Sequence, residues 1–205
     1  MNGVALWLAD APLVLASKSE IRRSVLEAAG LPVEILPADI DERGIEKNAS
    51  ASEPRGVAML LAREKAKAVA AKRPGRLVLG ADQTLSLGRE RFSKPVNRDA
   101  ARAQLLTLRG KTHELSSGIA LVRDGAVLFE DCAVARLTMR NFSERFLDSY
   151  LDAAGASVTQ SVGGYQLEKT GIQLFEKIEG DHFTILGMPL FSLLPFLRAQ
   201  KYLAE

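Results

Sequence analysis

Short apolar runs recur along the first part of the chain, each bounded by glycine, proline or polar residues. Runs of this length and composition indicate buried strands. The predicted strands are Pro12–Ser17, Pro32–Pro37 and Leu77–Gly80. Because the third run continues directly into Ala81-Asp82-Gln83, we expect Asp82 to lie just beyond the carboxyl end of that strand.

Segments with capping signals and helical composition alternate with these strands. Ser19 is a suitable N-cap for a helix that ends near Gly30. A longer segment over 53–73, rich in Ala, Arg, Glu and Lys, predicts a second helix, which Pro74-Gly75 ends. A third helix is predicted over roughly 97–108 and closes at Gly110.

A hairpin dominates the second half of the chain. Asp124-Gly125 is the strongest two-residue turn signal, and it joins predicted strands at Thr112–Arg123 and Ala126–Met139. Further predicted elements are a strand at Ile172–Ile178 after the Gly-rich region 163–171, and helices over 143–154 and 189–198. Strands alternating with helices predict an α/β fold with a long-stranded, mixed β-sheet.

The composition indicates a single globular domain over residues 1–205, with 47% hydrophobic and 25% charged residues. Cys132 has no partner within the chain, which excludes a disulfide scaffold and a cysteine zinc site. A net charge of +2 gives no reason to expect a nucleic-acid partner. No segment reaches the roughly 18 to 20 apolar residues of a membrane span, and no signal peptide is evident. We therefore expect a cytoplasmic protein with no membrane partner.

The first candidate binding site lies where the first strand meets the first helix. Ser17 and Ser19 carry hydroxyls there, and Arg22 and Arg23 add positive charge. A helix N-terminus presents free N–H groups, so this junction suits a phosphate. The alternative is an N-cap followed by a solvated basic turn.

Two further candidates involve buried or inward-facing charge. Asp82 follows a buried strand, where α/β folds place ligands, and could bind a divalent cation or act as a general base. The alternative is an aspartate that starts a turn. On the helix over 53–73, a stripe containing Val57 and Leu61 places Glu64 inward and Lys65 at the edge. Such charges need a partner or a ligand, and an internal ion pair is the alternative.

The remaining polar landmarks are weaker individually, and each is typical of a solvated loop. They are the acidic turn with Asp39, Asp41 and Glu42, the Lys94-Pro95 pair, and Glu168 within the Gly-rich region. His113 lies in a strand pattern, which favours a structural role over a ligand role. Together, these residues supply basic groups for phosphates and carboxylates for a metal and a water molecule.

Taken in order, these stretches resemble the Maf family of nucleoside triphosphate pyrophosphatases. The resemblance extends from about Leu13 to about Leu197. The motifs that carry it are Leu15-Ala16-Ser17-Lys18-Ser19 with Arg22-Arg23, Asp41-Glu42, Leu61-Ala62-Arg63-Glu64-Lys65-Ala66, Gly80-Ala81-Asp82, Lys94-Pro95, Leu108-Arg109-Gly110-Lys111-Thr112-His113, Gly164-Tyr165, Ile178-Glu179-Gly180-Asp181 and Gly187-Met188-Pro189-Leu190.

The resemblance implies an elongated mixed β-sheet flanked by helices, with two lobes around a central cleft, similar to the inosine triphosphatase fold. It implies hydrolysis of a nucleoside triphosphate to the monophosphate and pyrophosphate, with a divalent metal such as Mg²⁺ or Mn²⁺, and a possible homodimer. By this resemblance Asp82 activates water and holds the metal with Glu42. The residues that grip the triphosphate are Ser17, Arg22, Lys65 and Lys94.

Three positions bear on which base is preferred. Gln83 and Glu168 resemble the branch of the family that acts on 7-methyl-GTP, in which a tryptophan stands at the place of Ile21. A carboxylate at Glu168 suits the donor groups of guanine and a methylated, positively charged ring. The alternatives are a dTTP- or UTP-type pyrophosphatase and a non-catalytic nucleotide-binding regulator of cell division.

Overall fold

The computed structural model describes residues 6–48 and 53–205. Seven strands form one mixed sheet in the order β2-β1-β3-β5-β6-β7, with β4 paired to β3. The strands are β1 Leu13–Leu15, β2 Val33–Ile35, β3 Val78–Leu87, β4 Glu90–Phe92, β5 Thr112–Arg123, β6 Ala126–Met139 and β7 Phe175–Glu179. Parallel pairing of β1 with β2 and β3, and antiparallel pairing elsewhere, confirms the predicted mixed α/β sheet.

Seven helices flank the sheet within the described ranges. They are α1 Glu20–Ala28, α2 Glu42–Asn48, α3 Pro54–Ala70, α4 Arg98–Leu108, α5 Glu144–Ala154, α6 His182–Ile185 and α7 Leu190–Ala199. Ser19, Asn97 and Ser143 cap α1, α4 and α5 through side-chain oxygens that accept backbone N–H groups. No helix in the described part of the chain is long and apolar enough to cross a membrane.

Two segments differ from the local predictions. The segment predicted as a strand at Ile172–Ile178 begins instead as a 3-10 helix, Thr170–Leu174, and only Phe175–Glu179 is extended. Gly171 packs directly on the Gln166 backbone, which favours the tight turn over a strand. The acidic turn at Asp39, Asp41 and Glu42 leads into a helix, since α2 begins at Glu42.

Apolar clusters cover the two faces of the sheet unequally. On one face, Leu79 and Leu121 pack with α1 and α7, whereas Leu85 and Leu115 join a separate cluster with α4 and α5. Strand alternation puts Gln83 on that same face, between the two clusters. Each end of β3 thus carries its own apolar cluster, and the polar Gln83 lies between the two clusters. This arrangement agrees with the expected two lobes. In the described part of the chain, α3 is the helix whose apolar residues pack on the opposite face.

A notch in the edge of β3 separates the two lobes. β1 ends at Leu15, which pairs with Leu79, and β4 begins its pairing only at Leu85. Asp82 therefore lies inside a continuous strand. The apolar run had predicted a position just beyond the end of the strand, and that prediction was wrong. The strand continues because β5 pairs with β3 from Val78 to Ser86 along the other edge.

Helix α3 lies unusually close to the sheet because two strand positions lack a side chain. A Cβ atom at Gly80 would overlap the carbonyl oxygen of Ala62, and one at Gly118 would lie 2.6 Å from the carbonyl oxygen of Ala58. The buried face of α3 includes Lys65 among apolar residues, and Ala58 and Ala62 are the residues that the two glycines meet. The predicted inward position of Glu64 was wrong: its carboxylate lies 3.8 Å from Lys67 and is partly exposed.

The contact at Gly80 should tolerate no larger residue. We expect Gly80→Ala to reduce the free energy of unfolding by at least about 3 kcal/mol, because the backbone of α3 must move to admit a methyl group. Urea unfolding followed by circular dichroism measures this. Gly88→Ala is the control, since its turn is open and only left-handed backbone strain of about 1 to 2 kcal/mol applies. Equal losses in both variants would contradict the packing argument.

His113 is fully buried in the lobe formed with α4 and α5. Its Nε2 lies 2.7 Å from the Tyr165 hydroxyl, and its Nδ1 has no hydrogen-bond partner within the described residues. Burial lowers the pKa of His113 to about 4. The structure thus supports the structural role expected for this residue.

A buried neutral histidine makes stability depend on pH. The unfolded chain binds a proton at His113 below about pH 6.5, whereas the folded protein does so only near pH 4, so stability falls as pH drops through that window. The full effect is roughly 3 kcal/mol. Urea unfolding between pH 7 and 4 should show a shallower fall in His113→Leu than in wild type. His182→Gln, which alters an exposed histidine, should follow wild type.

Candidate functional site

A buried ion pair joins α3 to β3 at the notch. The Lys65 Nζ atom lies 2.6 Å from Asp82 Oδ1, and both side chains are about 90% buried. Asp82 faces α3 because even-numbered residues of β3 point to that side of the sheet, and Lys65 is one of the residues on the buried face of α3. A buried pair of this kind is expensive to desolvate, so its retention points to a role beyond packing.

A second carboxylate converges on the same ammonium group. Glu42, the first residue of α2, places Oε1 3.0 Å from Lys65 Nζ. Its side chain is about half exposed, so this carboxylate lies at the solvent side of the cluster. Asp41 caps the helix by accepting from the Gly44 N–H at 3.0 Å, which holds the turn that carries Glu42.

Arg22 lies on α1 and reaches the notch from the face of the sheet opposite α3. Its Nη1 donates to the Ala81 carbonyl oxygen at 2.7 Å and to the Ser17 hydroxyl at 3.3 Å. The guanidinium thus binds a backbone acceptor that the missing strand pair leaves open on β3. Gly187 lies directly against this guanidinium, since a Cβ there would be 3.1 Å from two of its nitrogens.

Burial sets the electrostatics of the cluster. Desolvation raises the pKa of Asp82 above its ordinary value; the positive charges of Lys65 and Arg22 oppose this rise, and Glu42 adds to it. Burial also lowers the pKa of Arg22, against the effect of Asp82 and Glu42. An aspartate whose pKa is raised is a stronger proton acceptor than one with an ordinary pKa, so Asp82 is suited to general-base chemistry.

The arrangement brings together most of the residues singled out in the sequence. Glu42, Lys65 and Asp82 form one group of ion pairs, and Arg22 with Ser17 forms a second group. Arg22 joins the two groups at the notch by binding the carbonyl of Ala81, the neighbour of Asp82. Two cations and a hydroxyl suit the oxygens of a phosphate chain, and the carboxylates suit a water molecule or a hard cation.

Lys94, Ile21 and Glu168 lie outside this cluster. Lys94 is exposed on the loop after β4, across the notch from Ser17, and no hydrogen bond or ion pair joins it to the cluster within residues 6–48 and 53–205. Ile21 is half-buried and packs against the cluster that contains α7. Glu168 is exposed on the loop beyond Tyr165, on the other lobe.

Gln83 is held by the protein itself. Its Nε2 lies 2.9 Å from Ser117 Oγ, 3.1 Å from the Thr184 carbonyl and 2.9 Å from the Ile185 carbonyl. These acceptors identify the amide nitrogen, so the side-chain oxygen points away from α6. Gln83 therefore ties α6 to the sheet at the boundary between the lobes.

Sequence reasoning missed the residues that shape the site without charge. Gly80 and Gly118 let Lys65 reach Asp82, and Gly187 makes room for Arg22. Glycines within a strand pattern are the signal that could have revealed the first two, because such positions often mark a close backbone approach. Nothing local identifies the Thr184 carbonyl as a partner of Gln83.

Comparison with known proteins agrees with this geometry. A family model described as Maf-like protein matches residues 12–200. A "Nucleoside triphosphate pyrophosphatase" of Bradyrhizobium diazoefficiens is 56% identical, covering 98% of this chain and 100% of the relative. A "7-methyl-GTP pyrophosphatase" of Mesorhizobium japonicum is 52% identical, covering 91% and 94% of the two chains.

One solved structure, a HAM1 protein from Coxiella burnetii, aligns with a TM-score of 0.41 at 18% identity over 64% of this chain and 74% of that chain. The likeness is low, and the family assignment rests on the sequence matches. Because the family model spans nearly the whole chain and relatives exceed 50% identity over full length, the chain belongs to the Maf-like protein family.

Proposed function

We propose that this chain, acting as one domain over residues 1–205, hydrolyses a nucleoside triphosphate to the monophosphate and pyrophosphate. The observation that carries the proposal is the buried Asp82–Lys65 pair at the notch, with Arg22 and Glu42 beside it. Relatives at 55 to 56% identity that are named nucleoside triphosphate pyrophosphatase support the same activity.

Positive groups of the chain would bind and orient the triphosphate. Arg22 and Lys65 supply charge at the notch, Ser17 supplies a hydroxyl, and exposed Lys94 can close on the chain of phosphates from the other lobe. Phosphoryl transfer leaves charge on non-bridging oxygens, so fixed cations and donors stabilise its transition state. Asp82 would accept a proton from the attacking water through Oδ1 or Oδ2, with its raised pKa favouring the transfer.

The residues present fit a divalent metal of the Mg²⁺ or Mn²⁺ type. The carboxylates of Glu42 and Asp82 converge on one positive group, the ammonium of Lys65. Carboxylate oxygens of this kind are ligands that hard divalent metals prefer. Within the described residues, no three His, Cys, Asp or Glu side chains converge so that they could hold a metal ion by themselves. Two carboxylates completed by substrate phosphates and water is the usual pattern for Mg²⁺. When bound, the metal would neutralise phosphate charge.

Asp82→Asn tests the proposed base. The variant keeps the shape of the side chain but cannot accept the proton, so kcat for pyrophosphate release should fall by about 10²- to 10⁴-fold. Release is measured with Mg²⁺ or Mn²⁺ on dTTP, UTP, CTP, ATP, GTP and 7-methyl-GTP.

Asp152→Asn is the matched control, since Asp152 is an exposed aspartate that forms a surface ion pair with Arg98. Circular dichroism checks that both variants fold. Full activity of Asp82→Asn would exclude Asp82 as the base. If the wild type binds nucleotides but releases pyrophosphate from none of them, the result would instead support the non-catalytic, nucleotide-binding regulator.

For the substrate, we propose a guanine nucleotide or 7-methyl-GTP. Glu168 offers an exposed carboxylate to paired donors of a guanine edge, and the oxygen of Gln83 remains for a further donor. The relative named 7-methyl-GTP pyrophosphatase supports this choice. Ile21, half-buried, offers an apolar surface but no aromatic ring, which argues for weak selection of the methylated base.

Glu168→Gln tests this assignment. Loss of the double acceptor should lower kcat/KM for GTP and 7-methyl-GTP by roughly 5- to 150-fold, with little change for UTP. The ratio of kcat/KM values across the substrate panel is the measurement. Glu176→Gln, which alters an exposed glutamate on β7, serves as the control. Preference of the wild type for dTTP or UTP would refute the purine proposal and leave the enzyme class intact.

A further inference from the structure

A cavity separate from the notch lies at the other end of β3, where the strand begins. It has a volume of about 310 Å³ and opens between the N-terminal segment, the loop that enters β3 and the end of α7. Its wall includes Asp10, Arg76, Arg123, Lys201 and Tyr202. Leu77 on this wall is five residues before Asp82, about 16 Å along an extended strand. No wall residue belongs to the notch cluster.

Two of the three cations on this wall, Arg123 and Lys201, have no side-chain acceptor within the described residues, whereas Arg76 Nη2 donates to the Pro12 carbonyl at 2.9 Å. The Arg123 side chain forms no hydrogen bond or ion pair within the described residues, and its guanidinium lies 5.2 Å from the Tyr202 ring centroid. The Nε atoms of Arg123 and Arg76 are both buried without a hydrogen-bond partner there. Such orphaned donors are rare in folded proteins, and two of them flank one cavity.

The carboxylates near the cavity form no ion pair with Arg123 or Lys201 within the described residues. Asp124, the neighbour of Arg123, accepts from the Gly75 N–H at 2.7 Å. Glu34 accepts from Arg76 at 2.9 Å, which accounts for one of the three cations. Asp10 is exposed, where water and salt screen its charge. Arg123 and Lys201 remain without an ion-pair partner in the described part of the chain, so the local balance favours an anion.

We propose that this cavity binds an oxyanion of the phosphate class through Arg123, Arg76 and Lys201. A planar guanidinium stacked on Tyr202 keeps its edge free for oxygen acceptors, and an ammonium adds a point charge beside it. The required oxygen acceptors are present in inorganic phosphate, in pyrophosphate and in the phosphate group of a nucleoside monophosphate. The site is independent of turnover at the notch.

The chain contains a natural reporter for this cavity. Trp7 is its only tryptophan, and Trp7 Nε1 donates to the Ala11 carbonyl at 3.0 Å. That bond closes the turn whose residues Leu8 to Ala11 line the cavity. Binding at Arg123 should therefore change Trp7 fluorescence, whereas binding at Arg22 should not.

Titration of the full chain with phosphate, pyrophosphate and a nucleoside monophosphate, at constant ionic strength, tests the site. We expect a saturable change in Trp7 fluorescence, with Kd raised at least about 10-fold in Arg123→Gln and partly restored in Arg123→Lys. Lys201→Gln, an exposed position that cannot disturb the core, should also weaken binding. Arg22→Gln should leave this Kd unchanged.

Each outcome decides the proposal. The proposal is overturned if the fluorescence response equals that of potassium chloride at the same ionic strength. It is also overturned if the Kd is unchanged in both Arg123→Gln and Lys201→Gln. A Kd raised by Arg22→Gln but not by Arg123→Gln overturns it too, because the signal would then come from the notch. Saturation by the monophosphate alone identifies a nucleotide as the ligand, and saturation by phosphate or pyrophosphate identifies an inorganic anion.

Discussion

The close contact of α3 with the sheet determines the rest of this structure. Gly80 and Gly118 remove two side chains from the face of β3 and β5, and the backbone of α3 settles where they would have been. This approach carries the Lys65 ammonium to within 2.6 Å of Asp82. A helix held even one methyl group farther from the sheet would separate the two charges and leave each buried without its partner.

The notch depends on a mismatch between neighbouring strands. β3 has ten residues, whereas β1 and β4 have three each and pair with opposite ends of it. The open stretch between them exposes backbone acceptors, and Arg22 satisfies the Ala81 carbonyl. The same interruption separates the apolar clusters of the two lobes, so the cleft and the two-lobed core have one origin.

The two ends of β3 differ in how their charges are balanced. At the notch, Asp82 and Glu42 surround Lys65, and Arg22 has a carbonyl and a hydroxyl as acceptors. At the opposite end, Arg123 and Lys201 have no carboxylate partner within the described residues. A neutralised cluster can form a stable, preorganised site, whereas an uncompensated one gains energy by binding an anion.

The sequence alone determined the elements whose signals are local. Apolar runs, capping serines and the Asp124-Gly125 turn gave the hairpin and the positions of α1, α3, α4, α5 and α7 with small errors at their ends. Motif order also identified the residues of the notch cluster. Tertiary structure decided the rest: that Lys65 and not Glu64 faces inward, that β3 continues past Asp82, and that Gln83 binds α6. These depend on pairing between distant segments: the glycines of β3 and β5 are visible in the sequence, but the sequence does not identify α3 as the element that packs on them.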